Sequence, residues 1–148
     1  MTNATTNAAT KKRPVFRNIN ALTDLPTYRL PPAGWVSILH RVSGLIMFLL
    51  LPFIIWMFDN SLSSEISYDA FTNVFVAGCG FVPAWGVKIV VLGLCWAFLH
   101  HFCAGVRHLW MDATHSVSKE QGKSSAIATL AVSLLLTLAV AVKLFVAY

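Results

Sequence analysis

The chain has 148 residues, 57% of them apolar and 11% charged, with a mean hydropathy of +0.68. Soluble domains carry about 25% charged residues, so a water-soluble fold of this size is excluded, and one compact domain of membrane-crossing helices fits the length. The formal charge of +5 sits on residues that flank apolar stretches, which is the pattern of membrane topology and not of a nucleic-acid surface.

Residues 1–12 are small and polar, with no apolar run that could serve as the core of a signal peptide, and they read as a disordered tail. Residues 13–148 then form one anchor domain. Its first part, 13–34, is basic and aromatic and is punctuated by Pro14, Pro26, Pro31 and Pro32, which oppose a continuous helix. This segment is expected at the membrane interface, with Tyr28 and Trp35 at headgroup level.

The first span is predicted over 35–58. Its uninterrupted apolar part, Gly44 to Phe58, is 15 residues long, too short to cross a bilayer that needs about 20. The helix must therefore recruit 35–43, which draws Ser37, His40 and Arg41 toward the hydrocarbon. Pro52 is expected to kink it. Residues 59–82 contain Asp59, Asn60, Glu65 and Asp69 but no lysine or arginine. The second span is predicted over 84–106 and the third over 125–147, joined by a polar connection over 107–124. The predicted fold class is all-α, an integral membrane bundle of three transmembrane helices with an interfacial N-terminal segment.

Orientation follows from the basic residues. Lys11, Lys12, Arg13, Arg17, Arg29 and Arg41 lie before or at the start of the first span. Arg107, Lys119 and Lys123 lie between the second and third. The N-terminus is therefore expected in the cytoplasm and the C-terminus on the periplasmic side, with Lys88 and Lys143 snorkelling at the outer helix ends.

Ionisable groups within a span are costly and point to function. Ser37, His40, Arg41 and Gly44 stand at i, i+3, i+4 and i+7, one stripe of a helix. A hydroxyl, an imidazole and a guanidinium beside a glycine can hold the oxygens of a quinone or the propionates of a haem, since arginine donates two hydrogen bonds to a carboxylate. The same stripe can equally bring Arg41 to lipid phosphate, with His40 a boundary residue. In the second span His101, Gly105 and His108 stand at i, i+4 and i+7. Gly105 removes bulk one turn from His101, so a flat macrocycle could lie there with its iron on His101. The alternative is a histidine that hydrogen-bonds a neighbouring helix. His100 points about 100° away from His101. Because the first span starts and the second ends on the inner side, both clusters fall in the cytoplasmic half of the membrane.

Other polar residues carry weaker signals. Asp112 is a candidate cap, or a partner for Arg107 or the N-terminal basic residues. His115 falls in a polar loop. Trp56, Trp85, Trp96 and Trp110 read as interfacial or packing aromatics, and Ser133 and Thr137 as back-bonding residues. Cys79, Cys95 and Cys103 lack metal or disulfide spacing and read as packing residues. The sequence has no G-x-G-x-x-G, P-loop or cysteine cluster, so this chain alone cannot hold a Rossmann-type flavin domain or an iron–sulfur cluster. Three spans cannot form two equal halves, which opposes an inverted-repeat transporter.

The motifs Arg13-Pro14-Val15, Ser37-Ile38-Leu39-His40-Arg41-Val42-Ser43-Gly44 and His101-x-x-x-Gly105-Val106-Arg107-His108-Leu109-x-x-Asp112 are similar to those of one family. From about residue 13 onward the chain resembles the cytochrome b556 subunit of succinate dehydrogenase, the larger membrane anchor of bacterial respiratory complex II. That resemblance implies a second small membrane anchor, an iron–sulfur subunit and a flavoprotein subunit as partners. It implies one haem b shared between the two anchors and a ubiquinone site beside it. The axial haem ligand would be His101, opposed by a histidine of the second anchor. His40, His108 and Arg41 would lie about the haem, and Ser37 and Arg41 would line the quinone site. The implied role is electron transport from succinate oxidation, in the tricarboxylic acid cycle, to quinone at the bacterial inner membrane. Competing readings are a fumarate-reductase-type or other membrane cytochrome b anchor, and a non-redox structural subunit.

Overall fold

The computed structural model describes residues 18, 20, 22–24, 27–115 and 118–147. The polar tail and the Arg13-Pro14-Val15 motif lie outside the described residues. Five helices follow in order: α1 Pro32–Leu49, α2 Leu51–Leu62, α3 Glu65–Ala77, α4 Ala84–Thr114 and α5 Lys119–Ala147. Three of them, α1, α4 and α5, are long and apolar enough to cross a membrane.

Prolines punctuate the chain as expected. Pro32 opens α1, where a missing N–H costs nothing, and Pro83 immediately precedes α4. The kink expected at Pro52 falls at Leu50, whose backbone (φ −94°, ψ 5°) leaves the helix before α2 resumes. Beyond it α2 packs on α3 and on neither α4 nor α5. The divergence leaves apolar cavities of about 510 Å³ between α2, α3 and the start of α4, and about 450 Å³ between α2 and the middle of α4.

The 59–82 segment is more ordered than its composition suggests. Ser64 accepts a hydrogen bond from the Ser67 backbone, and Ser67 Oγ accepts one from the Ser64 backbone, closing a reciprocal cap on α3. The helix ends at Gly78, whose φ of +91° suits glycine. A tight turn held by paired hydrogen bonds between Cys79 and Val82 then leads into α4.

The bundle proper is α1, α4 and α5, each packed on the other two. Small side chains mark where the helices meet: Ser43 on α1, Ala97 and Ala104 on α4, Ala126 and Ser133 on α5, all buried. Lipid gives helices no hydrophobic drive to associate, so close approach at small residues supplies the contact instead. Val36, Ala104 and Ala126 form the packed centre. Outward faces carry Phe48, Phe98, Phe102, Leu109 and Leu135, all exposed within the isolated chain.

Two helices extend beyond the predicted apolar spans. The second span's helix does not stop at 106 but runs to Thr114, and α5 begins at Lys119, ahead of 125. Arg107 lies within α4. It is buried, and it donates from Nε to Ser125 Oγ (3.0 Å) and from a terminal nitrogen to the Gly122 carbonyl (3.2 Å). Asp112 is exposed and is not its partner. At the other membrane face, Lys88 Nζ lies 5.6 Å from the centroid of the Phe145 ring, joining the start of α4 to the end of α5.

Candidate functional site

His40 lies on α1, one turn before Gly44, on the face packed against α4. His101 and His108 lie two turns apart on α4. The fold brings all three imidazoles together. The His40 and His101 ring centroids are 4.1 Å apart, and those of His40 and His108 are 5.3 Å apart. The equal depth of the two polar clusters, expected from topology, is thus realised as direct contact.

Two glycines admit this contact. A Cβ at Gly44 would come within 2.9 Å of His101 Cε1, closer than real side chains approach, so only glycine leaves the ring where it is. Gly105 faces His40, and a Cβ there would sit 3.9 Å from His40 Nε2. That His40 nitrogen is buried and has no hydrogen-bond partner among the described residues.

The protonation of His101 is dictated by its neighbours. Nδ1 lies 3.1 Å from the carbonyl oxygen of His40. A carbonyl only accepts, so Nδ1 carries the proton and donates it. Ser43 Oγ, 3.3 Å from the same nitrogen, donates its own proton to the His40 carbonyl at 2.9 Å. In the neutral ring this leaves Nε2 with a free lone pair, and Nε2 makes no hydrogen bond among the described residues. A ring nitrogen fixed by an Nδ1–H···O=C bond, with the other nitrogen open, is the arrangement of a metal-ligating histidine.

The stripe read from the sequence is divided by the fold. His40 and Gly44 face α4, whereas Arg41 is exposed and Ser37 half-buried, and neither makes a side-chain hydrogen bond among the described residues. Residues i+3 and i+4 lie on opposite edges of a helical stripe, so packing against α4 takes one edge and leaves the other outside. Sequence reasoning passed over Ser43, which shares the His101 anchor. Its place in the small-residue run Ser43-Gly44 was the signal available. His100, on a different face of α4, is fully buried, with Nδ1 3.2 Å from Ser133 Oγ on α5.

Comparison with known proteins settles the family. Residues 10–140 match the family model described as the succinate dehydrogenase/fumarate reductase transmembrane subunit. The chain belongs to this family. It is 30% identical to the succinate dehydrogenase cytochrome b556 subunit of Paracoccus denitrificans over 82% of its own length and 88% of that protein's. It is 31% identical to the protein of the same name in Coxiella burnetii, over 74% and 83% of the two chains. A third so named, from Rickettsia felis, is 24% identical over 86% of this chain and 94% of its own. The succinate dehydrogenase resemblance carried by the histidine motifs is therefore shared along most of the chain.

Proposed function

We propose that this chain is the larger membrane anchor of a bacterial succinate:quinone oxidoreductase and supplies one axial ligand, His101 Nε2, to a haem b. The observation that carries this reading is the hydrogen bond from His101 Nδ1 to the His40 carbonyl, which leaves Nε2 free and in the ligating tautomer. The residues suit the group in other respects. Gly105 leaves His40 Nε2 uncrowded, since a Cβ there would lie 3.9 Å from it, and that buried nitrogen, unpartnered among the described residues, and the exposed His108 are further polar groups beside His101. Arg41 adds a cation able to pair with a propionate. A bound haem b would take up and return single electrons beside the quinone.

As the family resemblance implies, a histidine of a partner anchor would hold the haem together with His101. The large exposed apolar surface of α4 and α5 supports that association. Among the described residues Arg41 is exposed and Ser37 half-buried, as suits a quinone site completed by other subunits. There the Ser37 hydroxyl and Arg41 guanidinium bind the quinone oxygens and hold them for reduction. Electrons come from succinate through the flavoprotein and iron–sulfur subunits, because this chain has no motif for either centre. The anchor lies in the inner membrane with its N-terminus in the cytoplasm. The succinate-oxidising direction is favoured because the relatives bear that name. Purification through a tag on this chain tests the reading. Flavoprotein, iron–sulfur protein and b-type haem should emerge together, and an assembly without them would overturn it.

A further inference from the structure

We propose that His100 is a positioning residue whose bond to Ser133 fixes the rotation of α4, so that His101, and not His100, faces α1. The inference rests on the reading of His101 as haem ligand.

Adjacent residues on a helix are separated by about 100°. His100 and His101 are neighbours, so a turn of α4 by one residue would present the wrong imidazole to His40. Apolar packing is non-directional and resists such a turn weakly. The α4 surface near this level is also smooth, with Ala97 and Ala104 at the helix contacts. A hydrogen bond between helices is directional and specifies rotation, as buried polar residues do in other helix assemblies.

His100 has the features of such a lock. It is 1% exposed, in the middle of the bundle. Its Nδ1 lies 3.2 Å from Ser133 Oγ, and Ser133 is itself held on α5 by a hydrogen bond from Oγ to the Leu130 carbonyl (3.1 Å). Trp96, one turn earlier on α4, stacks on the imidazole with ring centroids 5.6 Å apart and planes inclined by 19°. Nε2 is buried with no hydrogen-bond partner among the described residues, and the ring also interacts with the Val36 backbone of α1. An imidazole with one nitrogen unpartnered is a poor filler for an apolar site, and its directional bond to α5 is what it adds there.

The test uses the intact complex carrying Ser133→Ala, His100→Phe or His100→Asn. The readouts are haem midpoint potential and the low-spin ferric resonance spectrum per mole of haem, which reports the orientation of the axial imidazole planes. Ser133→Ala and His100→Phe should broaden the spectrum and shift its largest g value, and His100→Asn, which can still bond Ser133, should restore both. A wild-type spectrum and potential in Ser133→Ala, even with a lower yield or melting temperature, would reduce His100 to packing and overturn the inference. Should His100→Phe fail to assemble, Ser133→Ala decides alone by the same two outcomes. His101→Ala separates the two levels. Retention of the wild-type haem signal there would defeat the ligand reading itself, whereas its loss together with an unchanged Ser133→Ala spectrum would defeat only the role of His100.

Discussion

Gly44 on α1 and the imidazole edge of His101 on α4 are in contact, with no room for a side chain between them: a Cβ on Gly44 would lie 2.9 Å from Cε1 and 3.3 Å from Nδ1. The ring cannot simply swing aside, because its Nδ1 is held by the His40 carbonyl. Gly44→Ala should therefore displace the ring or separate α1 from α4, at an overpacking cost of about 1–3 kcal/mol. The purified complex should melt at a lower temperature and carry less haem per flavin. An unchanged melting temperature and haem content would mean that the contact relaxes freely.

Arg41 is exposed and without a hydrogen-bond partner among the described residues, so its replacement leaves no buried group stranded. Arg41→Ala should leave assembly intact and weaken quinone reduction. A hydrogen bond to a charged group contributes about 1.5–3 kcal/mol, which corresponds to a loss of roughly 10- to 100-fold in kcat/KM for quinone. Succinate oxidation coupled to an artificial dye should be unaffected. Equal loss of both activities would remove Arg41 from the quinone site.

Arg107 is the opposite case, a buried cation that joins α4 to the first turns of α5 through Ser125 and Gly122. Arg107→Ala should destabilise the α4–α5 pair by about 1.5–3 kcal/mol. Arg107→Lys should rescue it poorly, since an ammonium lacks the guanidinium fork. Thermal unfolding of the detergent-solubilised complex would show both, and full rescue by lysine would contradict the role given to the fork.

The α3 cap is testable locally. Ser64→Ala removes the side-chain acceptor for the Ser67 backbone, at a cost of about 1 kcal/mol. Amide exchange in 65–77 should quicken while α4 and α5 stay protected. Uniform exchange across the chain would mean that α3 is held by the bundle and not by its cap.

Sequence reading succeeded where lipid dictates the answer. Three apolar runs became helices long and apolar enough to cross a membrane, although the first, expected over 35–58, breaks at Leu50 beside Pro52 into α1 and α2. Helix ends were less legible. Hydropathy marks where the hydrocarbon stops, but a backbone continues through Arg107-His108 as long as its side chains find partners, and Ser125 and Gly122 supply them. α3 was missed because its polar and aromatic residues show no long apolar run. The Ser64-x-x-Ser67 cap and the Phe71, Val74 and Phe75 spacing were its available signals. That His40 and His101 fall in the same half of the membrane followed from helical periodicity and topology, but their direct contact, admitted by Gly44, did not, because it depends on how α1 packs on α4. Which edge of the α1 stripe turns inward did not follow, because that depends on the packing of α4, and so Arg41 and His40 part company.

The most direct test of the central claim is a visible difference spectrum of the purified complex, reduced by succinate and then by dithionite, minus oxidised, for the wild type, His101→Ala and His108→Ala. His101 Nε2 as axial ligand predicts a b-type signal in the wild type, its loss in His101→Ala, and its persistence in His108→Ala. A wild-type signal surviving in His101→Ala, or no haem signal under either reductant in the wild type, would contradict it.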